Sequence, residues 1–318
     1  MNTTLKHDFP FDPAYGYDLD QLLTVGAPVG PDDFVDFWKR TYQAARNTPT
    51  RMSWRPVSSP TPLVDLFEVE FDSLGGIRVG GWMSKPHDGA VTRGLVVGHG
   101  YGGREAPSTG WMPGVAAIFP CARGFHRSAR AGLPNTAAWH VLHGIENRET
   151  YIHRGCAAEI WGAVTALIEA FPEVSSTVDY DGGSFGGGIG ALMLPWENRI
   201  RRAFLDVPSF GNHPLRVTLP CVGSGAAVRL RYERNPEVLD VLAYFDAATA
   251  ARHVRTPTMV GAALFDPSVP PPGQFAVYNA LAGPKELFVR SAAHFSHPGE
   301  VAENQRLEVR KKLWFSSL

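Results

Sequence analysis

The feature that most constrains the fold of this chain is the motif Gly-Gly-Ser-Phe-Gly at residues 182–186. It has the pattern G-x-S-x-G, follows the short strand pattern TVDYD and precedes a run of small residues typical of a helix. On a sharp turn from strand to helix, the serine is held in strained geometry and only glycines fit two residues before and after it. The motif therefore predicts Ser184 as an exposed nucleophile. The alternatives are a flexible glycine-rich loop and a phosphate cradle.

Strand patterns alternate with helical or irregular segments along most of the chain, and residues 151–171 form the clearest helical pattern. Such alternation implies a largely parallel central sheet with helices on both faces. Before it, two alternating runs around Gly75 and Gly76 predict a β-hairpin. The later strand patterns are GLVVGHG, GVAAIFP, TVDYDGG, RAFLDVP, TPTMVGAALFD and ELFVRSA.

The chain of 318 residues is expected to form one domain. Residues 1–62 combine an amphipathic stretch at 32–45 with proline-rich connections, which indicates an N-terminal helical cap. Residues 208–240 contain glycine, proline and arginine without a strand pattern, so we expect an excursion there that covers the site like a lid.

Composition and charge narrow the class of protein. Thirty basic and 31 acidic residues give a net charge of −1, which calls for neither nucleic acid nor an anionic membrane as a partner. The first residues lack the apolar stretch of a secretory signal, and no apolar run approaches the roughly 18 residues of a membrane span. We therefore expect a soluble, cytoplasmic protein. The three cysteines are isolated and odd in number, and are expected to be reduced and buried.

A nucleophilic serine needs backbone N–H donors for the negative charge of its tetrahedral intermediate. One donor is the residue after the nucleophile, here Phe185, and the second comes from the loop after an earlier strand. The run GLVVGHGYGG leads from a strand into such a loop and makes Tyr101 the candidate. A turn that merely connects two elements is the alternative. His99 is expected to orient this loop rather than act as a base.

The acid and the base should follow the serine in the chain order Ser, Asp or Glu, His. Asp266 ends a strand pattern, at the sheet edge where sites of α/β proteins gather. The alternatives Asp240 and Asp246 lie in a helical stretch, where a solvated charge or a cap is more typical. The base is His294, directly after the last strand pattern, or the alternative His297, which lies beside a proline and is expected to begin the C-terminal helix.

The chain resembles a known family, the acetyl xylan esterases and cephalosporin C deacetylases. The resemblance is carried by HGYGGR at 99–104, RG at 123–124, FPEV followed by DGGSFGG, LDVPSF at 205–210 and a nearly continuous stretch at 241–287. It implies the α/β-hydrolase fold, hydrolysis of acetyl esters of sugars or related small molecules, and no metal or organic cofactor. It also implies a homo-oligomer, often a hexamer.

For the site, the resemblance implies Ser184, Asp266 and a C-terminal histidine as the triad, with Tyr101 and Phe185 as oxyanion donors. The chain departs from the family in three places. Phe125 stands where the family has glutamine after Arg-Gly, the terminal His-Glu motif is replaced by AHFSHPGE, and residues 208–240 differ in length. The substrate preference is expected to differ accordingly.

Several side chains are candidates for contact with the substrate: Arg123, Phe125 and Phe210. The aromatic residues among them, with Phe185 and Trp111, could shape a small acyl pocket, and ordinary core packing is the alternative. Two other functions remain open at this point. One is a non-catalytic scaffold of the same fold, and the other is a peptidase of the same fold, although the gating domain typical of such peptidases is not evident in the sequence.

Overall fold

A nine-stranded sheet forms the centre of the protein in the computed structural model, which describes residues 5–107 and 112–317. The strands are β1 (Ser53–Val57), β2 (Val64–Ser73), β3 (Ile77–Pro86), β4 (Arg93–Gly98), β5 (Val115–Pro120), β6 (Val178–Gly183), β7 (Ile200–Asp206), β8 (Thr258–Ala263) and β9 (Lys285–Arg290). Their order in the sheet is β1-β2-β3-β5-β4-β6-β7-β8-β9. Strands β1, β2 and β3 pair antiparallel, and β3 is also antiparallel to β5. The other six strands, in the order β5-β4-β6-β7-β8-β9, are parallel to one another. This confirms the mostly parallel sheet and the predicted hairpin, β2 with β3.

The described helices are α1 (Leu19–Leu22), α2 (Phe34–Arg46), α3 (Ala137–His140), α4 (Ile152–Ala170), α5 (Phe185–Met193), α6 (His213–Arg216), α7 (Ser224–Arg234), α8 (Val238–Leu242), α9 (Ala247–Ala251), α10 (Pro271–Ala280) and α11 (Glu300–Ser316). They cover both faces of the sheet, as predicted. Phe204 of β7 packs with α11, whereas the next residue, Leu205, lies against α5 at Gly190. Since successive strand residues point to opposite faces, α5 and α11 lie on opposite sides of the sheet.

The N-terminal extension contains a strand as well as helices. Residues 1–62 hold α1, α2 and also β1, which pairs with β2 at the edge of the sheet. The strand is mostly exposed and contains Pro56, a residue that sheets accept at their edges because it cannot donate a ladder hydrogen bond. This combination weakens the alternation by which a strand is recognised, and the sequence therefore predicted only a helical cap.

The segment at residues 208–240 follows β7 directly and carries α6, α7 and the start of α8, with no strand. It begins at the carboxyl end of a parallel strand, where the loops of an α/β sheet form its sites. Cys121, Cys156 and Cys221 are all buried and unpaired. None of the helices in the described part of the chain is both long and apolar enough to span a bilayer.

Candidate active site

Ser184 lies on a strained turn between β6 and α5. Its φ of +53° is left-handed, which is unfavourable for a residue with a side chain. The glycines on either side are required by close packing. A Cβ on Gly182 would lie 2.6 Å from the carbonyl oxygen of Gly186, and one on Gly186 would lie 3.0 Å from the backbone of Gly98. The turn therefore has the geometry that the G-x-S-x-G motif predicts.

Two hydrogen bonds hold this turn on the sheet. The N–H of Ser184 donates to the carbonyl oxygen of Asp206 at the end of β7 (2.8 Å). The hydroxyl of Tyr180, buried in β6, donates to the carbonyl oxygen of Gly186 (2.6 Å). Because both partners are themselves part of the buried sheet, the position of the serine is fixed by the core of the fold.

His294 connects the serine with Asp266. Its Nε2 lies 3.2 Å from Ser184 Oγ, and its Nδ1 lies 2.8 Å from one oxygen of Asp266 and 3.1 Å from the other. An ionised carboxylate can only accept hydrogen bonds, so Nδ1 carries the proton and Nε2 is free to accept the proton of the serine. The three side chains come from the carboxyl ends of β6, β8 and β9, which meet at one edge of the sheet.

Asp266 is fully buried and is surrounded by hydrogen-bond donors. Its Oδ1 accepts from the backbone N–H groups of Ser268 (2.8 Å) and Val269 (2.9 Å). Its Oδ2 accepts from the side-chain amide of Gln274 (2.9 Å) and from His294. These bonds fix the orientation of the carboxylate, and they compensate for the loss of water around its charge.

The electrostatics of the pair raise the pKa of His294. Partial burial alone would lower this pKa, but the hydrogen bond to Asp266 and its negative charge outweigh that effect and raise the pKa above the ordinary value of 6.5. The imidazole is therefore a stronger base than a free histidine, and the carboxylate stabilises the imidazolium that forms when it takes a proton.

The backbone N–H groups of Tyr101 and Phe185 have no hydrogen-bond acceptor among residues 5–107 and 112–317. Phe185 is the first residue of α5, so its N–H has no partner within the helix. The loop that carries Tyr101 lies close to Ser184, since a Cβ on Gly100 would be 3.9 Å from Cβ of Ser184. One free donor thus directly follows the serine in the chain, and the other belongs to a loop that lies beside it.

His99 holds this loop in place. Its Nδ1–H donates to the carbonyl oxygen of Gly100 (2.7 Å), and its Nε2 accepts from the N–H of Ala122 (2.9 Å). Burial lowers the pKa of His99 to about 4, so the ring is neutral near pH 7 and both nitrogens are occupied. It lies where a loop-orienting residue is expected and has no lone pair available for a proton from the serine.

The other acid and base candidates lie elsewhere. His297 has its Nε2 at 3.8 Å from a carboxylate oxygen of Glu303 on α11 and its Nδ1 at 3.1 Å from the carbonyl oxygen of Pro298. Asp246 caps α9 through the N–H groups of residues 248 and 249, and Asp240 lies in the first turn of α8. In the described part of the chain, no three His, Cys, Asp or Glu side chains are grouped to hold a metal ion.

The candidate substrate-binding residues Arg123, Phe125 and Phe210 have different surroundings in the structure. The guanidinium of Arg123 is engaged in a buried ion pair with Glu159 of α4, at 2.5 Å, and also donates to the carbonyl oxygen of Leu74 (3.1 Å). Phe125 and Phe210 are buried side chains whose rings lie 6.1 Å and 6.2 Å from the ring of Tyr101. Trp111 lies outside the described residues.

Two contacts of the site had no recognisable signal in the sequence. Gln274 is fully buried in α10, where its amide bridges Asp266, the carbonyl oxygen of Val269 (2.6 Å) and the N–H of Ala263 (2.8 Å). The carbonyl oxygen of Pro13, from the N-terminal extension, accepts from the N–H of Asp266 (3.1 Å). Both positions depend on tertiary packing over a long separation along the chain, which a local pattern does not encode.

The chain is similar to known proteins over most of its length. The family model described as Acetyl xylan esterase (AXE1) matches residues 16–313. The curated protein Acetyl esterase Axe7A of Xylanibacter ruminicola is 21% identical over 308 residues, which cover 89% of this chain and 67% of that protein. The solved structure of acetyl xylan esterase 1 from Thermoanaerobacterium sp. JW/SL YS485 has a TM-score of 0.83 at 21% identity, covering 96% of this chain and 100% of that chain. The acetyl xylan esterase from Paenibacillus sp. R4 has a TM-score of 0.80 at 23% identity, covering 92% and 99%. The two structures show that the fold is that of the α/β hydrolases.

Proposed function

This chain belongs to the acetyl xylan esterase family and is a carboxylic ester hydrolase, and on that premise we propose that it acts through a Ser184-His294-Asp266 triad and an acyl-enzyme. The observation that carries the proposal is the continuous hydrogen-bond chain from the serine hydroxyl through both nitrogens of the imidazole to a fully buried carboxylate. A nucleophile, a base and an orienting acid in that arrangement form the apparatus of acyl transfer.

In the first half-reaction, Oγ of Ser184 attacks the carbonyl carbon of the ester while Nε2 of His294 takes the hydroxyl proton. The oxyanion that forms is stabilised by the N–H groups of Tyr101 and Phe185. When the intermediate collapses, the bond from carbon to the alcohol oxygen breaks and the imidazolium gives its proton to the leaving alcohol. Asp266 keeps the imidazole in the required tautomer throughout.

In the second half-reaction, a water molecule takes the place of the alcohol. His294 accepts a proton from the water as it attacks the acyl carbon, and the same two N–H groups stabilise the second oxyanion. Collapse returns the proton to the oxygen of Ser184 and releases the carboxylic acid. The free enzyme is restored, and the reaction needs no oxidant or reductant.

The proposed substrates are small acetyl esters of sugars or related compounds, as the names of the relatives suggest. The aromatic side chains Phe125, Phe185 and Phe210 around Tyr101 are buried and would limit the length of the acyl group. We further propose a single domain with residues 208–240 as a partial cover, a homo-oligomer and a cytoplasmic location. A monomer mass in light scattering at micromolar concentration would contradict the oligomer.

The proposal is tested by comparing the wild type with Ser184→Ala on 4-nitrophenyl acetate and 4-nitrophenyl octanoate. We expect the substitution to lower kcat by about 10⁴-fold or more without a change in the circular dichroism spectrum, and we expect the wild type to prefer the acetyl ester. Ser175→Ala, at an exposed serine, is the matched control and should keep full activity. Activity of Ser184→Ala within tenfold of the wild type would reject the assignment.

A further inference from the structure

Four buried polar side chains beside the active site have nitrogen or oxygen atoms without a hydrogen-bond partner. They are Tyr151, His153, His213 and Arg216, which we call the Arg216 cluster. Each is at most 4% exposed. Within the described residues, the unpartnered atoms are the hydroxyl of Tyr151, Nδ1 of His153, and Nε and Nη1 of Arg216, together with one ring nitrogen of His213, whose other nitrogen faces the backbone carbonyl of Phe245. Leaving such groups unpaired in the interior is costly, which makes a group of four unusual.

Three of the four side chains contact one aromatic ring, that of Phe210, and Tyr151 contacts one of the three. The centroid of the Phe210 ring lies 4.3 Å from the ring of His153 and 5.6 Å from the guanidinium carbon of Arg216. The ring of His213 stacks on it at 6.4 Å, and Tyr151 lies 4.5 Å from His153. The unpartnered atoms therefore lie together in one place in the fold.

Arg216 is the most unusual member of the cluster. A guanidinium stays charged in a protein, so burial cannot be relieved by loss of a proton. Among the residues that the structure describes, no carboxylate forms an ion pair with it. Four other arginines of low exposure each have such a partner: Arg123 with Glu159, Arg199 with Glu197, Arg201 with Asp179, and Arg290 with Asp206.

The Arg216 cluster touches the catalytic apparatus on two sides. On one side, Nε2 of His153 lies 2.9 Å from the hydroxyl of Tyr101, whose N–H is a proposed oxyanion donor. On the other side, a Cβ built on Gly225 would lie 3.2 Å from Nη2 of Arg216 and 3.6 Å from the carbonyl oxygen of Ser268, in the turn that holds Asp266. A ligand group at Arg216 would thus lie between the oxyanion loop and the turn of the catalytic acid.

We propose that the Arg216 cluster binds a carboxylate carried by the ester substrate. The planar guanidinium matches a carboxylate in charge and in bidentate geometry, and a hydroxyl and two imidazoles beside it supply further donors. A substrate carboxylate would neutralise the buried charge and accept hydrogen bonds from one edge of the guanidinium. Neutral sugar acetates would leave that charge unpaired.

This inference rests on the proposed esterase function and narrows its substrate class. A carboxylate could reach Arg216 from the alcohol part of the ester or from its acyl part. The acyl group of this family is acetyl, which carries no carboxylate. We therefore place the carboxylate on the alcohol part of the ester, as in an acetylated hydroxy acid. The experiment includes one pair of esters for each source.

The first pair is O-acetyllactate and its neutral amide, O-acetyllactamide, and the second is monoethyl succinate and ethyl succinamate. For each pair, kcat/KM is measured with the wild type, Arg216→Gln and Arg216→Lys. Arg229→Gln is the matched control, because Arg229 lies on the neighbouring helix α7, is 35% exposed and pairs with Glu233. The readout is the ratio of kcat/KM for the acidic ester to that for its amide.

We expect the wild type to favour O-acetyllactate over its amide, and Arg216→Gln to reduce this ratio by about 10- to 100-fold, as for a lost hydrogen bond to a charged group. Arg216→Lys should retain part of the preference, and Arg229→Gln all of it. If the Arg216-dependent preference is instead confined to monoethyl succinate, the carboxylate is carried by the acyl group and our placement on the alcohol is wrong. A ratio that Arg216→Gln leaves unchanged for both pairs would overturn the subsite, and water alone would then fill the cluster.

A binding measurement separates this inference from the proposed function. In the Ser184→Ala protein, O-acetyllactate should raise Tm and O-acetyllactamide should not, and the additional substitution Arg216→Gln should abolish the shift. If the wild type does not hydrolyse 4-nitrophenyl acetate, the proposed catalysis fails while this shift still decides the subsite. The absence of any Arg216-dependent shift would then reject the carboxylate subsite as well.

Discussion

Replacement of the buried carboxylate by its neutral amide, Asp266→Asn, tests how the site controls the histidine tautomer. The two oxygens of Asp266 meet different donors. Oδ1 accepts from two backbone N–H groups and lies 3.1 Å from Nδ1 of His294, whereas Oδ2 accepts from the amide of Gln274 and lies closer to Nδ1, at 2.8 Å. An asparagine has only one acceptor oxygen, and the backbone donors cannot change. The amide oxygen is therefore expected at the Oδ1 position and the NH₂ group at the Oδ2 position, facing His294.

That orientation forces the imidazole into the wrong tautomer. Gln274 cannot relieve the conflict by turning its amide, because its other contacts require an oxygen toward the N–H of Ala263 and a nitrogen toward the carbonyl of Val269. The nearer contact of Nδ1 is then with an NH₂ donor, which favours Nδ1 as the acceptor, places the proton on Nε2 and leaves the serine without a base. We expect kcat to fall by about 10⁴-fold, the loss known for this change in a serine protease triad and equal to roughly 5.5 kcal/mol of transition-state stabilisation.

The dependence of kcat/KM on pH is a second, independent test of the role of Asp266. In the wild type the pKa of His294 is raised, so kcat/KM should fall as the pH drops through a midpoint above 6.5. In Asp266→Asn the bond and the charge that raise this pKa are gone, and burial, which lowers it, remains. The midpoint should therefore move to lower pH while the plateau of kcat/KM decreases.

The assay is the hydrolysis of 4-nitrophenyl acetate between pH 5 and 8. Asp179→Asn is the matched control, since Asp179 is an equally inaccessible carboxylate at the opposite end of β6, where it pairs with Arg201. It should lower the free energy of unfolding but leave kcat within a few-fold of the wild type. If Asp266→Asn keeps kcat within tenfold, or if its midpoint moves upward, the tautomer reasoning is refuted.

Four further substitutions test the surrounding geometry. His294→Ala should lose activity to the extent of the serine variant, whereas His297→Ala should stay near the wild type on the same acetyl ester; the reverse order would assign the base to His297. Gln274→Met unpairs a buried N–H and a buried carbonyl, so urea unfolding should show a loss of about 2 kcal/mol or more, together with a lower kcat because Asp266 loses a donor. Gly186→Ala places a Cβ against the backbone of the oxyanion loop, and a kcat for this variant equal to that of the wild type would contradict the close approach at the elbow.

The central part of the fold and the candidate site could be predicted from local patterns. The strand runs are continuous and apolar because their strands are buried on both faces, which made the parallel sheet evident. The glycines around Ser184 are fixed by backbone collisions, so their spacing is visible in the sequence. Asp266 lies three residues after β8 and His294 four residues after β9, and the ends of parallel strands meet at one edge of the sheet.

What could not be predicted depends on contacts between distant parts of the chain. Arg216 lies in a segment of glycine, proline and arginine that reads as a surface excursion, yet its side chain is buried against Phe210. Gln274 is an ordinary helix residue by sequence, and only the position of α10 beneath the turn of Asp266 gives it a role. Arg123, expected at the substrate, pairs with Glu159, a partner 36 residues away.

The central claim is that Ser184 is an activated nucleophile, and covalent labelling tests it most directly. The wild type and Ser184→Ala are treated with a fluorophosphonate, digested with trypsin and analysed by tandem mass spectrometry. Trypsin releases residues 155–199 as one peptide, which also contains the internal control serines Ser175 and Ser176. We predict one adduct per wild-type chain, on Ser184, with loss of esterase activity in proportion to labelling and no adduct in Ser184→Ala. An unlabelled wild type, or an adduct at another residue that accompanies the loss of activity, would contradict the claim.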